Sequence, residues 1–438
     1  MKRVWVGVAV VAACVAGARV GRAQVRGTII GPGVRSYPIA VSPPRDLSPG
    51  GAGRDIGQRF AEIVERDLTL AGLFKVLDRG AFIEKPESSG YTADSINFDS
   101  WSVIGALGLV KGAYTVEGDT ISMEVRLFDV YQRRQLTGRR YHGSVENVRR
   151  MANRFADEIM QQFTGERGPF DSRLAFVSTR DSRFKEIYVM SPDGGDLRQL
   201  TRNETLSLSP SWSPDAEVLY FTSYKRGNPD LYSINLLSGR ETLISKRKGL
   251  NLGGRPSPDG YKLAVTVENE GNADIVIMNK SGDIVRRLTD HWAIDVSPTW
   301  SPDGNRLAFC SNRTGSPQIF VVDAAGGEPR RITFSGNYNT SPAWSPKGDR
   351  IAYVNRSDGG FNIFTVKVDG TDARQLTQSA GDNEDPSWAP DGRYLVFSST
   401  RTGRKKLFVA DGTGLSQVQL THGGGDDTSP AWSRWLEQ

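Results

Sequence analysis

A chain of 438 residues, 38% of them apolar, is long enough for two or three domains with buried cores. Only Cys14 and Cys310 are present, which excludes a disulfide-stapled scaffold. The formal net charge of +5 comes almost wholly from Lys2, Arg3, Arg19 and Arg22 in the first 23 residues, which carry no acid. The remainder is nearly neutral and has no electrostatic motive for binding nucleic acid.

Residues 1–23 read as a secretion signal: Lys2 and Arg3, an apolar run over 4–15, then Gly21-Arg22-Ala23 before a cleavage after Ala23. The apolar run is too short to span a bilayer, and no later segment is apolar for 18 residues. Export to the periplasm is therefore expected. Val11-Ala12-Ala13-Cys14 offers the alternative of a lipid-anchored Cys14. Residues 24–36 follow as an extended segment.

Residues 37–166 are predicted to form an α/β domain. A strand at 37–41 leads through Pro43-Pro44 and a Gly-rich loop into a helix over 55–71, with Ile56, Phe60, Ile63, Val64, Leu68 and Ala71 on one face. Asp55 and Gln58 have capping-box spacing, and Gly72 ends the helix. A strand at 73–77 and a short helix near 101–107 come next. A meander over 110–116, 120–130 and 135–141 turns at Glu117-Gly118-Asp119, and a helix over 145–163 closes the domain. Gly51-Ala52-Gly53 lies ahead of a helix, but Ile56 stands where a dinucleotide fingerprint needs glycine, so a flexible turn is the plainer expectation.

Residues 167–438 repeat with a period of 44. Trp212, Pro256, Trp300, Trp344, Trp388 and Trp432 form one column; around them stand Ser213-Pro214-Asp215, Ser257-Pro258-Asp259-Gly260, Ser301-Pro302-Asp303-Gly304, Ser345-Pro346-Lys347-Gly348 and Ala389-Pro390-Asp391-Gly392. Leu200, Ile244, Leu288, Ile332, Leu376 and Leu420 keep the same step, each followed by a hydroxyl residue from Thr201 to Thr421. Each unit reads as an inner strand, a Ser-Pro-Asp-Gly turn, two apolar strands, and a fourth strand ending near Arg331-Ile332-Thr333. Such a period marks propeller blades. Residues 173–178 lack an inner strand before them, while 428–433 form one with nothing after it, so the C-terminal strand should close the first blade. The expected fold is an α/β N-terminal domain plus an all-β six-bladed propeller, with four antiparallel strands per blade; seven blades is the rival count.

Candidate chemistry is sparse. The sequence has no Gly-x-Ser-x-Gly elbow, His-Glu-x-x-His or Cys-x-x-Cys, so no catalytic, cofactor or metal residues are assigned. Cys310 lies in an apolar strand and reads as a core residue. His142 is isolated near the end of the meander; His291 and His422 occupy equivalent loops and read as loop or partner-contact residues. Ser207, Asn251, Asp295, Asn339, Asn383 and Asp427 stand five positions before the Trp column. They either cap the strand starts or form a polar mouth that receives a protein loop or a hydrated cation.

The combination resembles the TolB family, the periplasmic component of the Tol–Pal system. Asp55-Ile56-Gly57, Ala71-Gly72-Leu73-Phe74, Trp101-Ser102-Val103-Ile104-Gly105-Ala106 and Leu127-Phe128-Asp129-Val130 carry the resemblance, with the junction Phe163-Thr164-Gly165-Glu166 and Gly168-Pro169-Phe170-Asp171-Ser172-Arg173 the most specific. It implies a monomeric, non-enzymatic protein that binds the lipoprotein Pal through the propeller and lies peripheral to the outer membrane through it. The implied Pal contacts are His291, Trp292 and Asp295, then Asn339, Asn383, Asp427, Ser207 and Asn251, with exposed Trp292 as anchor. It also implies binding of the TolA C-terminal domain through Gln24, Val25, Arg26, Thr28, Ile29 and Ile30 by strand addition, and a role in outer-membrane integrity and division. Gly27 interrupts the alternation of that segment, and Pro256 replaces a Trp. Rival functions are a propeller-capped hydrolase, for which the chain lacks length and nucleophile, and a propeller holding a small envelope ligand or metal in its channel.

Overall fold

The computed structural model describes residues 36–51, 55–85, 88–269, 271–357, 359–378 and 381–437. The expected signal peptide, Cys14, the stretch from Gln24 to Ile30, and Ala52 and Gly53 fall outside them.

The amino-terminal sheet joins β1 (Tyr37–Val41), β2 (Arg45–Asp46), β3 (Phe74–Val76), β4 (Gly108–Glu117), β5 (Thr120–Asp129) and β6 (Arg134–Ser144) in the order β3-β1-β4-β5-β6, with β2 beside β4. β1 runs parallel to both neighbours, while β4 to β6 form the antiparallel meander. Helices α1 (Ile56–Ala71) and α3 (Val148–Thr164) bury Phe60, Ile63, Val64, Leu68, Phe155 and Ile159 in one core with Val110, Met123 and Val125. Both helices stop at glycines in the left-handed conformation, Gly72 and Gly165.

Two local expectations are corrected. Asp55 makes no side-chain cap bond, and Gln58 instead donates forward to Glu62 at 2.8 Å, so the capping box is not formed. The short helix α2 spans Phe98–Val103 rather than 101–107, because Gly105 adopts φ +80° and Leu107 already donates to Pro38 in β1.

Six four-stranded sheets form the propeller. Blade 1 is completed by Asp427–Trp432, which pairs antiparallel with Leu174–Ser178, so the two ends of the repeat array share a sheet. Inner strands Ser207–Trp212, Asn251–Pro256, Asp295–Trp300, Asn339–Trp344 and Asn383–Trp388 open blades 2 to 6. The fourth strands are shorter than the sequence pattern suggests, Arg330–Arg331 being two residues long. The hydroxyl column explains this: Thr201, Thr289, Thr333, Thr377 and Thr421 Oγ1 each accept the third-strand N–H at 2.9 Å, replacing a ladder carbonyl.

Indoles stitch alternate seams. Trp212, Trp300 and Trp388 donate to Ala431, Arg255 and Ala343 carbonyls of the preceding blade at 2.9–3.0 Å. Trp344 and Trp432 bond instead to Gly348 O and to Ser172 Oγ, both outside the preceding blade. Pro256 lies in blade 3, an odd-numbered blade like those two, so its lack of an indole breaks no bond of the alternating pattern. There Leu231 packs onto Gly254, where a Cβ would stand 2.6 Å from its Cδ1.

The amino-terminal domain packs on the turn end of blades 5, 6 and 1, and departures from Ser-Pro-Asp-Gly mark the place. Lys347, standing where other turns have Asp, pairs with Glu166 at 2.8 Å, as does Arg393. Ala389 replaces Ser, joins the helix core, and leaves Asp391 without the hydroxyl that Asp259 and Asp303 receive from Ser257 and Ser301. Those serine bonds hold Asp259 and Asp303 below the usual carboxylate range, whereas burial pushes Asp391 up to about 6.

A folded-state pKa raised above the unfolded value of about 4 gives stability that is complete below pH 4 and lost as pH rises through about 6. The loss is about 2–3 kcal/mol. Ala389→Ser restores the donor. It is expected to lower the Asp391 pKa and raise stability at pH 8 by about 1–2 kcal/mol, read by urea unfolding at pH 4.5 and 8. An unchanged pH profile would contradict this.

Candidate partner-binding site

Inner strands descend from a mouth, where they begin, to the turn end where the amino-terminal domain sits. All six residues of the expected polar ring, Ser207, Asn251, Asp295, Asn339, Asn383 and Asp427, are fully buried. Direct contact with a partner is therefore corrected for this column: five of its six members bond to a neighbouring blade, and Asp295 bonds within its own. Asn339 donates to Gln318 Oε1 of blade 4 at 2.8 Å and accepts from Asn355 at 2.7 Å. Asn383 reaches Asn362 of blade 5 at 3.3 Å and accepts from Arg401 at 2.7 Å. Asp427 accepts from Ser178, Arg180 and Lys406. Asn251 accepts from Ser245 of blade 2 at 2.7 Å and Ser207 donates to Glu186 of blade 1 at 3.4 Å. Asp295 takes Arg313 at 2.9 Å on Oδ2, while its buried Oδ1 has no hydrogen-bond partner among the described residues.

Strand alternation puts the preceding residue on the other side. That column reads Leu206, Leu250, Ile294, Tyr338, Asp382 and Asp426. Leu206, Ile294 and Tyr338 are exposed and Leu250 half-buried, which makes an apolar arc over blades 2 to 5, while the two aspartates carry blades 6 and 1. Sequence reading missed this arc; the same 44-residue step, taken one residue earlier, contains it.

Trp292 extends the arc and is 74% exposed. His291 Nδ1 accepts the Ala293 N–H at 3.1 Å and its ring stands 5.1 Å from the indole, so the loop holds its own shape. An exposed indole with an apolar neighbour, Ile294, has the make-up of an interface anchor. The other histidines do not join it. His422 lines a separate groove with Glu62, Arg66 and Leu70, and His142 is exposed on β6, 2.9 Å from Ser122. Cys310 is buried in blade 4. Among the described residues no group of His, Cys, Asp and Glu is placed to hold a metal, and no helix is long and apolar enough to cross a membrane.

The chain matches the TolB amino-terminal domain over residues 26–136 and the TolB beta propeller domain over residues 160–436. It is 42% identical over 218 residues to the Tol-Pal system protein TolB of Desulfosudis oleivorans, covering 50% of each chain, and 43% identical over 187 residues to that of Geobacter sulfurreducens, covering 43% of this chain and 42% of the relative. These matches thus span about half the length of the curated relatives or less. The crystal structure of TolB from Acinetobacter baumannii superposes with a TM-score of 0.79 at 26% identity, covering 91% of this chain and 97% of that one. With both domain models matched in order, this chain belongs to the TolB family.

Proposed function

We propose that the protein is a non-enzymatic periplasmic component of the Tol–Pal system, which binds the lipoprotein Pal at the propeller mouth and the TolA C-terminal domain through residues 24–30. It would link the inner membrane to the outer membrane, maintain outer-membrane integrity and support constriction at division. The observation that carries the Pal contact is the apolar arc of Leu206, Ile294 and Tyr338 with Trp292 beside it, on the end of the ring away from the amino-terminal domain. Family membership and the names of the relatives support the choice of system. In this reading residues 1–23 are the signal peptide, 24–36 the partner segment, 37–166 the α/β domain and 167–438 the propeller. Gln24, Val25, Arg26, Thr28, Ile29 and Ile30 would add a strand to the partner's sheet edge, main-chain bonds supplying the affinity.

The two contacts separate experimentally. A mature chain lacking residues 24–30 is expected to lose TolA-domain binding in sedimentation velocity and to keep Pal binding. Retention of TolA binding by that truncated chain would overturn the assignment of the segment.

A further inference from the structure

The inner strands enclose a channel of about 340 Å³ whose walls are Ser, Thr, Pro, Ala and Trp with three charged side chains, Arg255, Asp385 and Arg434. Two of these break columns that are otherwise small. The column before the Trp position reads Ser211, Arg255, Thr299, Ala343, Ser387 and Ala431. The column three residues before it reads Ser209, Gly253, Ser297, Ser341, Asp385 and Ser429. Each inner strand has a β-bulge here, and Asp385 sits in it at φ +55°, as the serines of that column do at +48° to +57°.

Arg255 belongs to blade 3 and Asp385 to blade 6, so they face each other across a six-bladed ring. The field of Asp385 reaches Arg255, yet no ion pair joins them. Arg255 has five N–H donors to satisfy, and the hydrogen bond it makes among the described residues is a long one, 3.5 Å to Pro210 O. Asp385 Oδ2 accepts the Ser429 N–H and hydroxyl at 3.1 and 3.2 Å, and Oδ1 has no hydrogen-bond partner among the described residues. Burial works against both charges, lowering Arg255 and raising Asp385 from their ordinary ranges. At the turn end Arg434, exposed and just beyond the inner strand of blade 1, reaches across to donate to Pro258 O of blade 3 at 3.2 Å. Two cations thus lie toward the turn end and one carboxylate nearer the mouth.

We propose that this channel is a binding site for a small zwitterion, an amino acid or the free ends of a short peptide, with its carboxylate on Arg255 and Arg434 and its ammonium group on Asp385. A carboxylate matches the planar fork of a guanidinium, and each charge supplies the counter-ion the wall lacks. The cavity has the size of small-molecule sites, with three charged groups converging in a wall otherwise rich in Ser and Pro. A ligand would enter by the mouth. The site lies below the apolar arc and does not depend on what binds there.

The test is calorimetry on the mature chain with four probes: alanine, Ala-Ala, N-acetyl-Ala-Ala and Ala-Ala amide. Alanine or Ala-Ala is expected to bind one-to-one, and which of them binds tells a free amino acid from a peptide. Blocking either end of the bound species is expected to weaken binding at least about tenfold. Arg255→Ala and Asp385→Ser should each do the same while keeping the thermal midpoint, since Ala and Ser fill those columns in other blades. No binding of either zwitterion at millimolar concentration overturns the proposal. So does binding that neither substitution weakens, or a pair of substitutions that alters stability alone.

Discussion

Asp427→Ala is expected to destabilise the protein by about 3–5 kcal/mol, because it strips the counter-charge from two cations at the point where the ring closes. Asp427 Oδ1 accepts Ser178 Oγ at 2.6 Å and Arg180 Nη2 at 3.0 Å, and Oδ2 accepts Lys406 Nζ at 3.1 Å. Ser178 and Arg180 belong to the chain entering blade 1, Lys406 to blade 6, and Asp427 itself to the strand that completes blade 1. One carboxylate therefore ties together the first and last parts of the repeat array. Lys406 keeps the Gly424 and Gly425 carbonyls in the variant, but carbonyl dipoles do not neutralise a buried ammonium. Asp426→Ala, one residue away and exposed, is the control and should cost under about 1 kcal/mol. Equal urea midpoints for the two variants would contradict the closure role.

Trp292→Ala is expected to leave folding intact and to weaken Pal binding by about 2–4 kcal/mol, roughly 30- to 1000-fold. The indole is exposed in the free protein, so its truncation opens no cavity in the core. What it removes is the largest apolar surface beside Ile294. The neighbouring ring column gives the opposite expectation. Asn339→Ala removes groups bonded to Gln318 and Asn355 and should register as lost stability, with Pal affinity per folded molecule retained. A Trp292→Ala protein with full affinity would exclude this loop from the interface.

The ring was legible in the sequence because its columns keep a 44-residue step without interruption, and because 173–178 and 428–433 are complementary fragments of one blade. The mouth was not. Ser207 to Asp427 and Leu206 to Asp426 are adjacent columns on opposite sides of the same strands, and periodicity alone does not say which side is buried. The polar column fits a strand-start cap as well as a binding ring, and in the folded ring five of its six members bond to the neighbouring blade while Asp295 holds Arg313 of its own. The apolar column beside it is the one that stays exposed.

Deviations from the repeat held more information than the repeat. Lys347 and Ala389 mark where the amino-terminal domain rests, while Arg255 and Asp385 mark the channel. Each becomes readable only when the topology shows what lies opposite: Glu166 in one case, the other charge in another. Local errors had local causes. The helix at Phe98–Val103 was displaced by Gly105, and Gln58 found Glu62 in place of the helix start.

Titration calorimetry of the mature chain with the periplasmic domain of its own Pal lipoprotein tests the account most directly. One-to-one binding at micromolar or tighter dissociation constant is predicted, abolished by Trp292→Ala combined with Ile294→Ser and retained with Asp385→Ser. Absence of binding, or binding that survives the double substitution at the rim, would contradict it.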